Sequence, residues 1–306
     1  MLGLGISTMA ALGAGLLATG YAILGLIWLR PATRALGADI LRTMHSAALI
    51  AAVIIGLTWL GGWWLYAALV LLGGRIGYEV GHVRFRPELA WVNAVFAGTV
   101  VALALFCPLP LLMVLCLICG LPAILAYLPR WPLPISVQRL AMWQQLRPAL
   151  QAAAFPGWPF LLLAKGLTLP QYAPLMLLAY ILVESFDGYA LVSGKLLGRT
   201  PAFPRLSPRK TIEGLLGGAF MLVLTALALA WALALPMAVM AAVAGLVAAL
   251  ALAGDLIASQ YKRDAGVKDY PVLLARQGGA FDSLDSWIAA GGGLALLAAL
   301  TGGSWP

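Results

Sequence analysis

The chain has 306 residues, of which 63% are apolar and only 10% charged, with 19 lysines and arginines against 11 acids and a net charge of +8. An ordinary soluble domain carries roughly 25% charged residues, so this composition excludes a water-soluble globular fold. The long apolar runs do not alternate, which excludes a membrane β-barrel. What remains is an all-α polytopic membrane protein, in which each lipid-embedded segment satisfies its own backbone as a helix.

In chain order, the apolar runs predict spans at about 4–29, 46–60, 63–79, 91–106, 109–128, 150–165, 171–187, 212–234, 236–254 and 286–302. Runs of roughly 18 residues or more cross about 30 Å of hydrocarbon. The first has no basic residue ahead of it and is long, so it reads as a retained span rather than a cleaved signal. The second and third are short and separated only by Gly61-Gly62, so the expectation is about nine to ten transmembrane helices in an all-α polytopic membrane protein. Residues 1–149 supply N-terminal transmembrane helices and residues 150–306 the C-terminal region with both charged loops, in one integral membrane unit. Cys116 and Cys119 form C-x-x-C inside LLMVLCLICGLP with no second pair or nearby histidine, so they read, like Cys107, as core thiols rather than zinc ligands.

Charge sets the orientation. Threading ten spans puts five loops on one face: Arg30 to Arg42, Arg75 to Arg86, Arg130 to Arg147, Lys195 to Lys210 and Lys262 to Arg276. Eighteen of the nineteen basic residues lie there and only Lys165 falls opposite, which makes that face cytoplasmic. Topology and anionic lipid headgroups account for the +8 charge without a nucleic-acid partner. His45 and His82 read as interfacial, and Trp28, Trp63, Trp64, Trp91, Trp131 and Trp158 as an aromatic belt.

Acids carry more information, because a carboxylate in or beside a span is costly and functional by default. Eight of the eleven fall between residues 184 and 285, leaving only Asp39, Glu79 and Glu88 elsewhere. The first charged loop reads ESFDGYALVSGKLLGRTPAFPRLSPRKTIEGLLGG. Ser207-Pro208 has the form of a helix N-cap with proline at the first helical position. Arg209 and Lys210 would then occupy a first turn whose dipole favours anions. A phosphate on the free N–H groups, Lys210 and the Thr211 hydroxyl resolves that conflict, and Gly194, Gly198 and Gly214 allow close approach. An ordinary positive loop before a capped helix is the alternative. In the second loop Asp255, Ser259 and Lys262 share a helical face, Arg263 and Asp269 follow, and Asp282 and Asp285 share a face after a Gln277-Gly278-Gly279 break. Carboxylates beside lysines and arginines suggest a divalent metal holding a polyphosphate; the alternative is a solvated, salt-bridged juxtamembrane helix.

The stretch GDLIASQYKRDAGVKD, with QGGAFDSLD after it, resembles the phosphatidate cytidylyltransferases, or CDP-diacylglycerol synthases, whose signature is S-x-x-K-R-x-x-x-x-K-D followed by H-G-G-x-x-D-R-x-D. Ser259, Lys262, Arg263, Lys268, Asp269, Gly278, Gly279, Asp282 and Asp285 fall at the matching positions. Asp187, Ala190, Gly194, Lys195, Ser207, Pro208, Lys210, Thr211 and Gly214 match the family's earlier motif, D-x-x-A-x-x-x-G-K then S-P-x-K-T-x-x-G. The resemblance covers residues 171–302. Three positions depart from it: Gln277 stands for the family's histidine, Ala275-Arg276 for its Pro-Gly, and Ser283 for the arginine between the last aspartates.

The resemblance implies transfer of the cytidylyl group of CTP to phosphatidate or a related lipid phosphate, giving CDP-diacylglycerol and pyrophosphate. It implies Mg²⁺ on Asp269, Asp282 and Asp255, with a second, monovalent cation as an option. Lys262, Arg263, Lys268, Asp269, Asp282 and Asp285 are the implied catalytic set. Asp187, Gly194, Lys195, Ser207, Lys210, Thr211, Ser259, Gln277, Gly278 and Gly279 are the implied substrate set. The expected setting is the bacterial cytoplasmic (inner) membrane with the site facing the cytoplasm, membrane lipids as partners and a homodimer as an option. A CTP-dependent lipid kinase, an inactive relative and an ion-coupled transporter are the competing readings; the transporter predicts mid-membrane carboxylates, whereas the acids here gather at one face.

Overall fold

A computed structural model describes residues 5–28, 34–125, 146–273 and 278–302. Among the described residues there are ten α-helices: α1 (Ile6–Trp28), α2 (Arg34–Leu60), α3 (Gly62–Arg84), α4 (Ala90–Phe106), α5 (Leu109–Leu125), α6 (Trp158–Thr168), α7 (Ala173–Leu197), α8 (Ile212–Ala232), α9 (Met237–Asp264) and α10 (Ala280–Leu300). Each matches one apolar run of the sequence. Five stretches, Pro87–Phe106, Ala173–Leu197, Ile212–Ala232, Met237–Asp264 and Ala280–Leu300, are long and apolar enough to cross a membrane; Ile6–Ala22, Met44–Leu60 and Leu109–Ile118 are shorter apolar helices. The protein is an all-α integral membrane protein.

Several helices run past the ends that apolarity alone suggests. Gly61 and Gly62, at φ of 62° and 52°, make a left-handed break that separates α2 from α3. Helix α3 then continues through Arg75 and Arg84, and α7 through Asp187 and Lys195, so these residues stand on helices rather than in loops. The sixth predicted span is interrupted: helical residues 146–152 pass through a π turn at Ala153–Gly157, where Phe155 is extended, before α6 begins.

Helices with no hydrophobic drive between them pack through small residues in lipid. On α8 the buried stripe is Gly214, Gly218, Leu222, Ala226 and Ala230, one residue every four. Leu216, Phe220 and Trp231 point the other way and are exposed, as a lipid-facing surface requires. A Cβ on Gly218 would stand 2.8 Å from the Ala190 methyl of α7, and one on Gly254 of α9 would stand 2.7 Å from the Asp285 carbonyl oxygen of α10. The centre of the bundle is formed by α7 and α10, joined by the Trp287 indole N–H donating to the Met176 carbonyl at 3.0 Å, with Tyr180 edge-on to that indole. Trp63, Trp64 and Trp91 are exposed near helix ends, whereas Trp158 is partly buried in the bundle rather than in a belt. Cys107 and Cys116 are free thiols, Cys116 buried among apolar neighbours.

Lys165, which the span reading sets apart from the other basic residues, has a structural task. Lys165 of α6 is buried and donates from Nζ to the Leu105 carbonyl in the last turn of α4, at 2.7 Å. A cation there complements that helix's C-terminal dipole.

Substitution at the α9–α10 crossing tests this packing. Gly254→Val overpacks the contact and is expected to destabilise the protein by about 1–3 kcal/mol, seen as a lower melting midpoint in detergent. Gly245→Ala, whose added methyl meets no atom within 4 Å, leaves the midpoint unchanged or raises it.

Candidate active site

Consecutive antiparallel helices bring the C-terminal ends of α7 and α9 and the N-terminal ends of α8 and α10 to one side of the bundle. Between α7 and α8 the chain forms a hairpin: β1 (Pro201–Phe203) pairs antiparallel with β2 (Ser207–Thr211), with Pro201 opposite Thr211 and Phe203 opposite Ser207. This corrects the helix start expected at Ser207-Pro208. Ser207 to Thr211 is strand, and the N-cap of α8 is Thr211, whose Oγ1 accepts from the Gly214 N–H at 3.1 Å. Arg209 and Lys210 are therefore outside the first turn. Glu213 occupies it instead, as the helix dipole favours, and accepts from the Arg199 and Thr200 N–H groups.

The strand aims Lys210 at the helices. Its Nζ lies 2.9 Å from Asp255 Oδ2 of α9, and Asp187 of α7 is the other carboxylate beside it. Burial works against the Lys210 ammonium, but Asp255 and Asp187 outweigh it and raise its pKa above the usual lysine value. Two turns along α9, Lys262 Nζ contacts Asp282 Oδ1 of α10 at 2.5 Å. Asp282 Oδ2 accepts the backbone N–H groups of Tyr270 at 3.0 Å and Gly279 at 3.1 Å. Asp285 is buried between the two pairs, within electrostatic reach of Asp255, Lys262, Lys210 and Asp187, and accepts from Ser286. Asp187 is open to solvent, Lys210 and Asp255 are about one-quarter exposed, and Asp285 is closed off. The cluster thus leads inward from an accessible mouth.

The two charged loops, remote in sequence, touch each other. Arg263 donates from Nε to the Leu206 carbonyl of the hairpin at 3.4 Å and from Nη1 to the Val267 carbonyl at 3.0 Å. Ser259 is buried on α9, one turn from both Asp255 and Lys262. Lys195 is exposed on the last turn of α7. Lys268 and Asp269 are exposed in the turn after α9, and Gln277 lies outside the described residues.

The expected metal set of Asp255, Asp269 and Asp282 is not gathered into one group, and no three acidic, histidine or cysteine side chains among the described residues are close enough to hold a metal ion by themselves. The chain turns back at Gly266, leaving Asp269 exposed while the next N–H reaches Asp282. The donor chemistry nevertheless fits Mg²⁺, which prefers oxygen and takes one or two carboxylates with substrate phosphates completing its shell. Asp187, Asp255, Asp282 and Asp285 carry four negative charges when ionised, against two positive charges on Lys210 and Lys262. The buried Asp255 Oδ2 touches Lys210 without an aligned hydrogen bond.

The glycines of the motifs serve packing rather than ligand approach. A Cβ on Gly214 would lie 2.9 Å from the Gly194 Cα and from the Ala190 carbonyl, so Gly194 and Gly214 let α7 and α8 cross. Gly278 sits at φ of 78°, and a Cβ there would stand 2.5 Å from Asp282 Oδ2. Gly279 has no room for a Cβ beside the Glu79 carboxylate.

Glu79 is the residue the sequence reading passed over. It is fully buried on α3, yet it accepts the N–H groups of Ala280 and Phe281, the first two residues of α10, each at 2.8 Å. A carboxylate there satisfies two orphan donors and complements the helix dipole that also faces Asp282. Arg75 donates to Glu79 at 2.6 Å and to the Pro271 carbonyl at 2.6 Å. Arg84 pairs with Asp264 at 3.1 Å, bonds Gln151, and stacks over Tyr261 at 4.2 Å. The N-terminal helices therefore clamp the segment that carries Lys262 and Asp282. An acid and two arginines inside an apolar helix were the available signal.

With this arrangement in view, comparison with known proteins is specific. The family model for the cytidylyltransferase family matches residues 41–301. The chain belongs to that family. It is 34% identical over 116 residues to a phosphatidate cytidylyltransferase of Staphylococcus aureus (strain COL), covering 37% of this chain and 44% of the relative. It is 34% identical over 122 residues to one of Haemophilus influenzae, covering 38% and 42%. It is also 36% identical over 117 residues to the Escherichia coli (strain K12) protein named uncharacterized protein YnbB, covering 38% and 39%. The alignments span less than half the length of these relatives. The protein is a membrane-embedded member of this family.

Removing the clamp tests its role. Glu79→Ala leaves two helix N–H groups buried without an acceptor and is expected to cost about 1–3 kcal/mol, read as a lower melting midpoint in detergent. Glu79→Gln, which keeps one acceptor oxygen, is expected to lose less.

Proposed function

We propose that this protein transfers the cytidylyl group of CTP to phosphatidate or a related lipid phosphate, releasing pyrophosphate, on the cytoplasmic side of a bacterial inner membrane. The observation that carries this reading is the meeting of Lys210, Asp255, Lys262, Asp282 and Asp285, from three separate elements, at one end of an apolar bundle. A lipid phosphate keeps its chains in the hydrocarbon and presents its headgroup at that level, while CTP arrives from water. The basic residues clustered on the same side support the cytoplasmic orientation.

The chain's groups have distinct tasks in this reaction. Exposed Lys268 and Lys195 at the mouth draw the triphosphate in from water. Lys210 and Lys262 hold its oxygens and take up the charge that develops on the leaving group. Arg263 fixes the hairpin against α9 so that both lysines face one point. One oxygen of the lipid phosphate forms a bond to the α-phosphorus. The bond from that phosphorus to the bridging oxygen breaks, and its electron pair leaves with pyrophosphate. The attacking oxygen is already anionic, so no side chain has to remove a proton from it. Asp187 and Asp255 would hold Mg²⁺, which when bound supplies positive charge against the triphosphate. Asp282 acts by holding Lys262 and the Tyr270 and Gly279 backbone in register.

Isotope placement tests the reading. Purified protein with Mg²⁺, phosphatidate and CTP labelled at the α-phosphate is expected to move label into the lipid and release one pyrophosphate per labelled lipid. Label transferred from the γ-phosphate, or no transfer to any lipid phosphate, overturns it. Asp282→Asn is expected to lower the rate by about 100-fold or more, and Gln277→His to preserve or raise it.

A further inference from the structure

An apolar cavity of about 320 Å³ lies between α2, α3, α6 and α10. That volume is in the range of ligand sites. Its upper wall is Gly279, Ser283 and Leu284, the turn of α10 that also carries Asp282. From Gly279 it follows α10 down to Trp287, a distance of roughly 12 Å at helical rise, close to the depth of one leaflet of a hydrocarbon core about 30 Å thick. Leu69 of α3 and Phe160 of α6 line its sides.

Two features fix what it accepts. Both hydroxyls that reach it are turned to their own helices: Thr58 donates to the Ile54 carbonyl at 2.7 Å, and Ser283 to the Gly279 carbonyl at 3.1 Å. The walls therefore offer hydrocarbon and no free polar group to a ligand. Gly279 is shared: it lines the cavity, and its N–H donates to Asp282 Oδ2 at 3.1 Å. The wall of the cavity and the backbone that holds Asp282 thus meet at one residue. Small Ser283, standing where the resembled signature has arginine, leaves the upper end unblocked by a long cation.

We propose that this cavity seats one acyl chain of the lipid-phosphate acceptor, with the phosphate at the N-terminal end of α10. The assignment rests on the transfer reading above and adds to it where the acceptor lies. It makes chain length and unsaturation a matter for α2, α3, α6 and α10, and leaves the nucleotide to α7, the hairpin and α9.

Photolabelling tests it. Wild-type protein in phosphatidylcholine nanodiscs is irradiated with phosphatidate bearing a diazirine midway along one acyl chain, without CTP, and labelled peptides are mapped. Label is expected on the α3 and α10 walls, near Leu69 and Leu284, and is expected to fall at least fivefold with excess unlabelled phosphatidate but not with excess phosphatidylcholine. Label elsewhere, or label displaced equally by both lipids, overturns the proposal. A second arm uses Ala68→Trp, which fills the cavity from α3. Its KM for dioleoyl phosphatidate is expected to rise about tenfold or more, the effect of losing roughly two buried methylenes, with the KM for CTP unchanged; equal KM values for the lipid in both proteins overturn it. Transfer without cavity labelling removes this inference alone, and specific labelling without transfer removes the reaction instead.

Discussion

Every charge near the lipid boundary of this protein has to be held by another group, because low dielectric and dehydration make a lone one too costly. That constraint organises the charged ends of the helices. Lys210 is set against Asp255 and Asp187, Lys262 against Asp282, and Glu79 against Arg75 and two helix N–H groups. The groups come from α3, α7, β2, α9 and α10, so the pairings also fix how those elements stand relative to one another. The cluster is acidic in balance, exposed at Asp187 and closed at Asp285, and so attracts positive charge.

The two halves of the chain divide the work differently from their sequence signatures. The matching motifs all lie in the C-terminal region, yet the helix bearing Asp282 is capped by Glu79 of α3, and Arg84 of α3 grips Asp264 and Tyr261 at the end of α9. The N-terminal helices thus act as a frame for the segment that carries Lys262 and Asp282, and they also supply about half of the lining of the apolar cavity. The apolar cavity and the charged cluster share Gly279, where a side chain of any size would displace Glu79.

The helices were legible in the sequence because apolar runs in lipid have few alternatives to helix. Their ends were not, since α3, α7 and α9 continue beyond the hydrocarbon on residues such as Arg84, Lys195 and Lys262 that hydropathy discounts. Ser207-Pro208 was misread for a local reason: Ser-Pro is also compatible with an extended strand, and the pairing with Pro201 to Phe203 that decides the matter is not visible in the dipeptide. Lys210 and Asp255 were read as site residues of two separate loops, and their contact across the bundle is not visible in the sequence; Asp269 was grouped with Asp255 and Asp282 by motif order and stands apart. Glu79 was missed because its partners are about two hundred residues away, although the rule that an acid in or beside a span has a task applied to it equally.

The most direct test of the account is binding of radiolabelled CTP to the purified protein, with and without Mg²⁺, in wild type and in Asp255→Asn. The account predicts that wild type retains CTP only with the divalent ion and that Asp255→Asn weakens binding by about tenfold or more, as loss of a charged contact does. Binding that ignores both Mg²⁺ and the loss of the Asp255 charge would contradict it.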